Sequence, residues 1–167
     1  AFSRQQPMAL QPVLVADVVA ESCSLLRAAI PPGVELVQQC AAGTGPILAD
    51  ATQLGQVLLN LGTNAVYALQ GRSSGRIEFR VDTVPPGDAA LPAEWARGRA
   101  QRDTGAVRIQ VQDNGSGMSE DTRSRIFDPF FTTKPVGRGT GLGLPVVLGI
   151  VQTLGGAIEV QTALGQG

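Results

Sequence analysis

Two short glycine-rich segments restrict the fold of this chain of 167 residues more than any other feature. The first, at residues 113–117, reads Asp-Asn-Gly-Ser-Gly and directly follows an alternating apolar run that predicts a strand. The second, at residues 137–144, directly precedes an apolar run with helical periodicity. Glycines at such junctions let the backbone turn sharply and approach a ligand closely. The sequence therefore predicts an open strand end and an open helix start.

Composition and charge limit the size and the partners of the chain. With 43% hydrophobic residues, 167 residues suffice for one sizeable core, so we expect a single domain. The net charge of −1 provides no basic field for nucleic acid or for an anionic membrane surface, and neither contact is expected. No apolar run approaches the roughly 18 residues of a membrane-spanning helix, and no secretory pattern opens the chain. We expect a cytoplasmic domain, which leaves open a membrane anchor elsewhere in a longer protein.

The two cysteines, Cys23 and Cys40, have no paired spacing, and the chain contains no histidine. This pattern argues against a metal site built on cysteine and against a disulfide framework. We expect both cysteines to be small buried hydrophobic residues.

Hydrophobic periodicity predicts three helices and five strands. The helices cover residues 15–30, 50–69 and 140–154, with Asp50 as the N-cap of the second, and the strands cover residues 34–41, 46–49, 76–84, 106–111 and 157–161. The order of elements favours a two-layer α/β (α+β) sandwich, in which about three helices cover one face of a mixed, mostly antiparallel sheet. Residues 85–103 lack periodicity and are expected to form an insertion or a mobile loop.

Asn60 and Asn64 are four residues apart on the second predicted helix, so both amides lie on one face, away from its apolar stripe. An amide oxygen is a suitable hard ligand for a magnesium ion held mostly by waters and phosphates. The alternative is that the two asparagines are merely polar surface residues.

Asp113 follows directly on a predicted strand, and Gly115 and Gly117 open the backbone beside it. A carboxylate in this position can accept a hydrogen bond from the exocyclic amine of adenine. The alternative is a simple Asx turn, which the sequence Asp-Asn-Gly also favours.

The segment 137–144, Gly-Arg-Gly-Thr-Gly-Leu-Gly-Leu, opens a predicted helix, where free backbone N–H groups attract phosphate. Its spacing matches neither the dinucleotide-binding fingerprint nor the P-loop. A flexible linker is the alternative, and it fits poorly with the apolar helix that begins at once.

Lys134 is the only lysine, against 12 arginines, and it ends the run Phe-Asp-Pro-Phe-Phe-Thr-Thr-Lys at residues 127–134. An ammonium beside a glycine-rich loop suits a γ-phosphate, and the three phenylalanines suggest a segment that docks by burying rings. The alternative is that the rings complete the core and the lysine is solvated.

Together these segments resemble the catalytic ATP-binding domain of bacterial sensor histidine kinases, in the superfamily that includes gyrase, heat-shock chaperone and mismatch-repair ATPases. Residues 56–65 resemble the N box, 113–118 the first glycine box, 127–134 the phenylalanine box and 137–144 the second glycine box. Residues 163–167 are similar to the start of the final glycine motif. Residues 2–4 resemble the end of the dimerisation helix that precedes such domains.

The resemblance implies an ATP and Mg²⁺ site closed by a mobile lid that runs from about residue 127 to 143. Asn60, Asn64 and Lys134 would be catalytic, with Asn64 and Asn60 as the metal ligands. The implied nucleotide contacts are Asn64, Tyr67, Asp113, Gly115, Gly117, Met118, Phe127, Thr132, Thr133, Lys134, Gly139, Thr140, Gly141, Leu142, Gly143 and Leu144. Related ATPases carry a glutamate in the place of Asn60, and an amide cannot activate water, so weak intrinsic ATP hydrolysis is expected.

The resemblance also implies an ATP-dependent protein-histidine kinase that transfers the γ-phosphate to a histidine. Because this chain contains no histidine, the acceptor must lie on a separate dimerisation domain. The expected partners are that domain and the receiver domain of a response regulator. Residues 1–9 are expected to end the linker, and residues 10–167 to form a C-terminally truncated catalytic domain. The alternative function is a nucleotide-dependent regulatory module without phosphotransfer.

Overall fold

The computed structural model describes residues 7–95 and 104–167. Most of the predicted linker, at residues 1–6, and the second half of the predicted loop, at residues 96–103, lie outside this part of the chain. In chain order the elements are β1 (Gln11–Val13), α1 (Val15–Leu26), β2 (Val34–Cys40), β3 (Ile47–Ala49), α2 (Ala51–Ala68), β4 (Gly75–Val84), β5 (Ala106–Asp113), α3 (Glu120–Arg123) and α4 (Gly143–Thr153).

Helix α2 begins where the sequence predicts, because Asp50 caps it. The Asp50 carboxylate accepts hydrogen bonds from the backbone N–H groups of Thr52, at 2.9 Å, and Gln53, at 3.2 Å. These bonds satisfy two of the donors that a helix start leaves free. The predicted apolar stripe of α2 is buried at Leu54, Val57, Leu58 and Ala65, and Val66 beside it is buried as well.

Within residues 7–95 and 104–167 the strands form two sheets rather than the single sheet expected. The larger has the order β2-β4-β5, with β2 parallel and β5 antiparallel to β4. The smaller pairs β1 with β3 in antiparallel register. Strand β1 was not predicted, because three residues are too few to show alternation. Of the three strand pairings in the described part of the chain, two are antiparallel, which agrees with a mixed, mostly antiparallel arrangement.

Strand β4 shows why the helices cover one face of the sheet. Its residues Ile77, Phe79 and Val81 are fully buried and pack with side chains of α1 and α2. Burial of each such side chain stabilises the fold by about 1.5–3 kcal/mol. On the opposite face Glu78 forms ion pairs with Arg76 at 3.0 Å and with Arg80 at 2.6 Å. The two-layer sandwich is therefore confirmed.

Helix α4 packs against the outer side of α2. Val57 of α2 lies in one buried cluster with Val147 and Ile150 of α4. The predicted start of α4 at residue 140 is wrong by three residues, since the helix begins at Gly143. The prediction for α1 is wrong at its end, because the α-helix stops at Leu26 and continues as a 3-10 turn to residue 29.

The predicted strand at residues 157–161 is wrong, since the structure assigns no ladder to these residues. Their alternation nevertheless has a cause: Ile158 packs against the cluster of α2 and α4. The carbonyl oxygen of Val160 accepts from Arg123 Nη1 at 3.3 Å instead of from a strand. The alternation of apolar and polar residues here thus reflects a partly buried face, although these residues pair with no neighbouring strand in the described part of the chain.

The cysteine prediction holds for one residue of two. Cys23 is buried on α1, and burial raises the pKa of its thiol. Cys40 is exposed, because it is the last residue of β2 at the edge of the larger sheet. Partial desolvation raises the pKa of the Cys40 thiol as well, so neither thiol is activated as a nucleophile.

Candidate nucleotide site

The face of α2 opposite its apolar stripe carries Asn60, Asn64 and Tyr67, all of them half-buried. Positions 60, 64 and 67 are neighbours on a helix surface because they follow its four- and three-residue spacing. The Asn60 amide nitrogen, Nδ2, donates to the carbonyl oxygen of Gly143 at 3.4 Å. Gly143 is the first residue of α4, so this bond joins the asparagine face to the start of that helix.

Lys134 reaches the same face of α2 from the phenylalanine-box segment. Its ammonium nitrogen, Nζ, donates to Oδ1 of Asn64 at 3.2 Å. The same nitrogen lies 4.6 Å from the centre of the Tyr67 ring, in cation–π geometry. Lys134 is half-buried there, so the alternative of a freely solvated lysine does not describe this structure.

The start of α4 lacks a side-chain cap. Leu142 precedes the helix and offers no capping acceptor, and its own N–H donates to Thr140 Oγ1 at 3.3 Å. The first N–H groups of α4 and the positive end of its dipole therefore remain available to an anion. They lie beside Asn60, whose amide bonds Gly143.

The first glycine box rests on the C-terminal end of the same helix. The N–H of Ser116 donates to the carbonyl oxygen of Ala68 at 3.1 Å. A Cβ at Gly115 would lie 2.7 Å from the Cβ of Ala68, so only glycine allows this approach. Arg72 fixes the box further, since its guanidinium donates to the carbonyl oxygens of Asn114 and Gly115 at 2.9 and 3.0 Å.

Asp113 ends β5 and is half-buried at the edge of this box. Its Oδ1 accepts from the N–H of Gly115 at 2.8 Å, which is the Asx turn that the sequence offered as an alternative. Within the described residues no hydrogen bond engages Oδ2. The turn thus orients the carboxylate and leaves one oxygen for a ligand. An Asx turn and a hydrogen bond to adenine are therefore compatible at Asp113.

The final glycine segment closes onto the first glycine box. The N–H of Gly165 donates to the carbonyl oxygen of Ser116 at 2.7 Å, and the N–H of Met118 donates to Thr162 Oγ1 at 3.0 Å. Gly117 has φ +63° and faces the carbonyl group of Ala163 so closely that a Cβ would overlap it. Residues 162–167 therefore pack directly on the first glycine box.

The second glycine box packs closely against the phenylalanine box. The N–H of Phe130 donates to the carbonyl oxygen of Gly141 at 2.9 Å. Gly141 has φ +66°, and a Cβ there would overlap the backbone of Phe130. A Cβ at Gly139 would lie 2.8 Å from the Cβ of Lys134. The glycines of this box thus permit close packing onto the segment that carries the lysine.

The structure brings Asn60, Asn64, Tyr67, Lys134 and Gly143 into one group. Thr132 supports that group, because its Oγ1 accepts from the N–H of Lys134 at 3.1 Å. Phe127 and Leu144 are half-buried and Thr133 is exposed, and no hydrogen bond among the described residues links them to the group. The sequence did not point to Arg72, Ala68 or Thr162, because an arginine, an alanine and a threonine outside the glycine boxes carry no pattern of their own.

The donor set suits phosphate and a hard cation. It offers a lysine ammonium, an uncapped helix start and two neutral amide oxygens. The described residues hold no cluster of three histidine, cysteine or carboxylate side chains that would bind a transition metal. In the same part of the chain no helix is both long enough and apolar enough to cross a membrane.

Fold and site together define a two-layer α/β domain that can hold a ligand between a helix face and a glycine-hinged segment. Residues 49–167 match the family described as histidine kinase-, DNA gyrase B- and HSP90-like ATPase. The chain belongs to this ATPase family, and its domain is of the type that sensor histidine kinases carry.

Two curated relatives match nearly the whole chain. The sensor kinase CckA of Brucella abortus is 36% identical over 167 residues, which are 100% of this chain and 17% of that protein. The signal transduction histidine-protein kinase AtoS of Escherichia coli is 33% identical over 167 residues, covering 99% of this chain and 24% of AtoS. The chain thus spans about a fifth of the length of these relatives.

Solved structures support the fold. Full-length ShkA in complex with AMPPNP is 27% identical with a TM-score of 0.73, and the match covers 98% of this chain and 30% of ShkA. The mycobacterial sensor histidine kinase MprB has a TM-score of 0.66, and the match covers 89% of this chain and 83% of the MprB chain. At 24% identity, MprB is a likeness of fold alone.

Proposed function

We propose that this domain binds Mg·ATP on the asparagine face of α2 and donates the γ-phosphate to a histidine of another domain. One observation carries the proposal: the Lys134 ammonium, the uncapped start of α4 and the first glycine box all contact a single helix. Along α2, the start of α4 lies at Asn60, and Lys134 lies at Asn64 and Tyr67. The first glycine box, whose Gly115 is bonded to Asp113, lies at Ala68. A nucleotide with its triphosphate at one end and its base at the other fits this polarity.

At the phosphate end, Lys134 would meet the γ-phosphate, and the N–H groups at the start of α4 would meet phosphate oxygens. At the base end, the free Oδ2 of Asp113 would accept from the adenine amine. The backbone of Gly115 and Gly117 would line the same end. These assignments use groups that the fold already holds on one face of the domain.

Asn64 and Asn60 would supply amide oxygens to Mg²⁺, with phosphate oxygens and water as the remaining ligands. Neutral oxygens suit this ion, since it keeps several of its waters. Bound Mg²⁺ would neutralise charge on the β- and γ-phosphates. No carboxylate is needed in this ligand set, which agrees with two amides on the face.

The transfer requires an incoming imidazole in line with the scissile bond. Its ring nitrogen would attack the γ-phosphorus, the bond to the bridging oxygen would break, and ADP would leave with that electron pair. The imidazolium so formed would lose its proton to water. Because Asn60 cannot take a proton from water, hydrolysis would not compete well with transfer.

Calorimetric titration with ATP, in the presence and absence of Mg²⁺, tests the binding step. For the wild type we expect tighter binding with Mg²⁺ than without it. Asn64→Ala should lose most of this Mg²⁺-dependent gain, whereas the exposed Gln56→Ala on the same helix should keep it. Equal affinity with and without Mg²⁺ in the wild type would overturn the metal assignment.

Labelled ATP and a longer chain that includes an acceptor histidine test the transfer step. Acid-labile label on the histidine supports the kinase, and binding without transfer supports a regulatory module instead.

The proposal assigns residues 10–167 to the catalytic domain and residues 1–9 to the end of the linker. It further assigns the dimerisation domain and a response-regulator receiver as partners, and the cytoplasm as the location.

A further inference from the structure

The Lys134 ammonium makes two contacts with α2. It donates to Asn64 Oδ1 at 3.2 Å and lies 4.6 Å from the centre of the Tyr67 ring. The hydrogen bond joins residues 70 positions apart in the chain. The two contacts hold the phenylalanine-box segment against α2.

The hydrogen bond from Lys134 uses the oxygen that the proposed metal would need. An ammonium and a divalent cation on one amide oxygen would lie a few ångströms apart and repel each other. The two cations therefore exclude each other at Asn64. A lysine that leaves Asn64 has the γ-phosphate as its next acceptor, because charge-assisted bonds to phosphate are strong.

We infer that Tyr67 is a positioning residue that keeps the Lys134 ammonium bound to Asn64 in the nucleotide-free domain. The ammonium there occupies the place on Asn64 that the proposed metal ion would take. We further infer that Lys134 leaves Asn64 when Mg·ATP binds, and this release rests on the proposed function. The lysine side chain then exchanges an amide for a phosphate, and the lid segment changes its attachment to α2 in the same step.

The composition of the chain makes this inference directly measurable. Lys134 is the only lysine and Tyr67 the only tyrosine. Selective labelling of lysine and tyrosine therefore yields one set of resonances for each, with no ambiguity of assignment. In the nucleotide-free wild type we expect an NOE between the Lys134 Hε protons and the Tyr67 ring, and an upfield shift of Hε from the ring current.

Variants separate positioning from a general structural effect. Tyr67→Leu should abolish the upfield shift, and Tyr67→Phe should retain it, because the ring is kept. Phe131→Leu is the matched control, since Phe131 lies in the same segment and its ring contacts Arg125 instead. The Cζ atom of Arg125 lies 4.3 Å from the centre of the Phe131 ring. That control should leave the Lys134 resonance unchanged.

Addition of Mg·AMP-PNP to the wild type tests the release, with calorimetry on the same sample. Loss of the NOE at saturation supports the inference, and its persistence at saturation overturns it. Absence of the NOE in the nucleotide-free wild type also overturns it, whatever the variants do. Absence of binding heat rejects the proposed function, and the release of Lys134 with it, while the NOE still decides whether Lys134 rests on Tyr67.

Discussion

The side-chain amide of Asn60 donates to the carbonyl oxygen of Gly143 and so joins the middle of α2 to the first residue of α4. The two residues are 83 positions apart in the chain, and the bond spans 3.4 Å. This contact places the uncapped helix start beside the asparagine face. The proposed phosphate site therefore depends on it.

Substitution Asn60→Asp removes the donor and sets a carboxylate against the Gly143 carbonyl oxygen. We expect the free energy of unfolding to fall by about 0.5–1.5 kcal/mol, the usual contribution of one hydrogen bond. Gln56→Glu makes the same chemical change at an exposed site one turn earlier on α2 and should be nearly neutral. Urea unfolding of both variants measures the difference, and equal effects would show that the bond to Gly143 contributes nothing.

Two glycines of the segment 127–143 both have a positive φ but differ in the space around a Cβ position. Gly141 has φ +66° and faces the Phe130 backbone, whereas Gly137 has φ +85° and has no atom near a Cβ position. Gly137→Ala should cost about 1–2 kcal/mol through its positive φ alone. Gly141→Ala should cost roughly 1–3 kcal/mol more because of the added overlap, and it should weaken ATP binding. Similar unfolding midpoints and similar dissociation constants for the two variants would contradict this packing.

Residues and motifs with local causes were predictable from sequence. Asp50 caps α2 through neighbours two and three positions away, and the shared face of Asn60 and Asn64 follows from helical spacing. The resting place of Lys134 was not predictable, because it depends on the path of a segment with little periodicity. Nor was the exposure of Cys40, since an edge strand and a central strand can have the same composition.

Residues 119–139 are expected to exchange their amide hydrogens quickly without nucleotide. Among them α3 has only four residues, Phe130 is 75% exposed, and Val136 is fully exposed. Ile126 is the one buried apolar residue of this segment, and segments with few buried apolar side chains open at low free energy. Hydrogen exchange with and without Mg·ATP checks the prediction, and slow exchange in the nucleotide-free domain would refute it.

The Asp50 cap makes the stability of α2 depend on pH. Hydrogen bonds from the backbone N–H groups of Gln53, Ala9 and Thr52 lower the pKa of Asp50 below its ordinary value of 3.8. Because the folded pKa is the lower one, the contribution is complete above pH 3.8 and is lost as the pH falls through the depressed value.

Substitution Asp50→Ala should therefore lower Tm by about 2–4 °C near neutral pH, and the difference should shrink in acid. Asp50→Asn keeps a capping oxygen that does not titrate, so it should remain close to the wild type at neutral pH. Thermal unfolding between pH 7 and pH 3 measures both variants. A deficit of Asp50→Ala that stays constant over this range would show that the ionised carboxylate is not the cause.

Because Asn60 and Ala68 are eight residues apart on α2, the points where α4 and the first glycine box attach are separated by about 12 Å along the helix axis. The length of this part of the helix thus sets the distance between the two attachment points. An insertion of one residue between positions 64 and 68 would turn one end by about 100° relative to the other. Such a change in length would misalign both ends without altering any side chain that faces them.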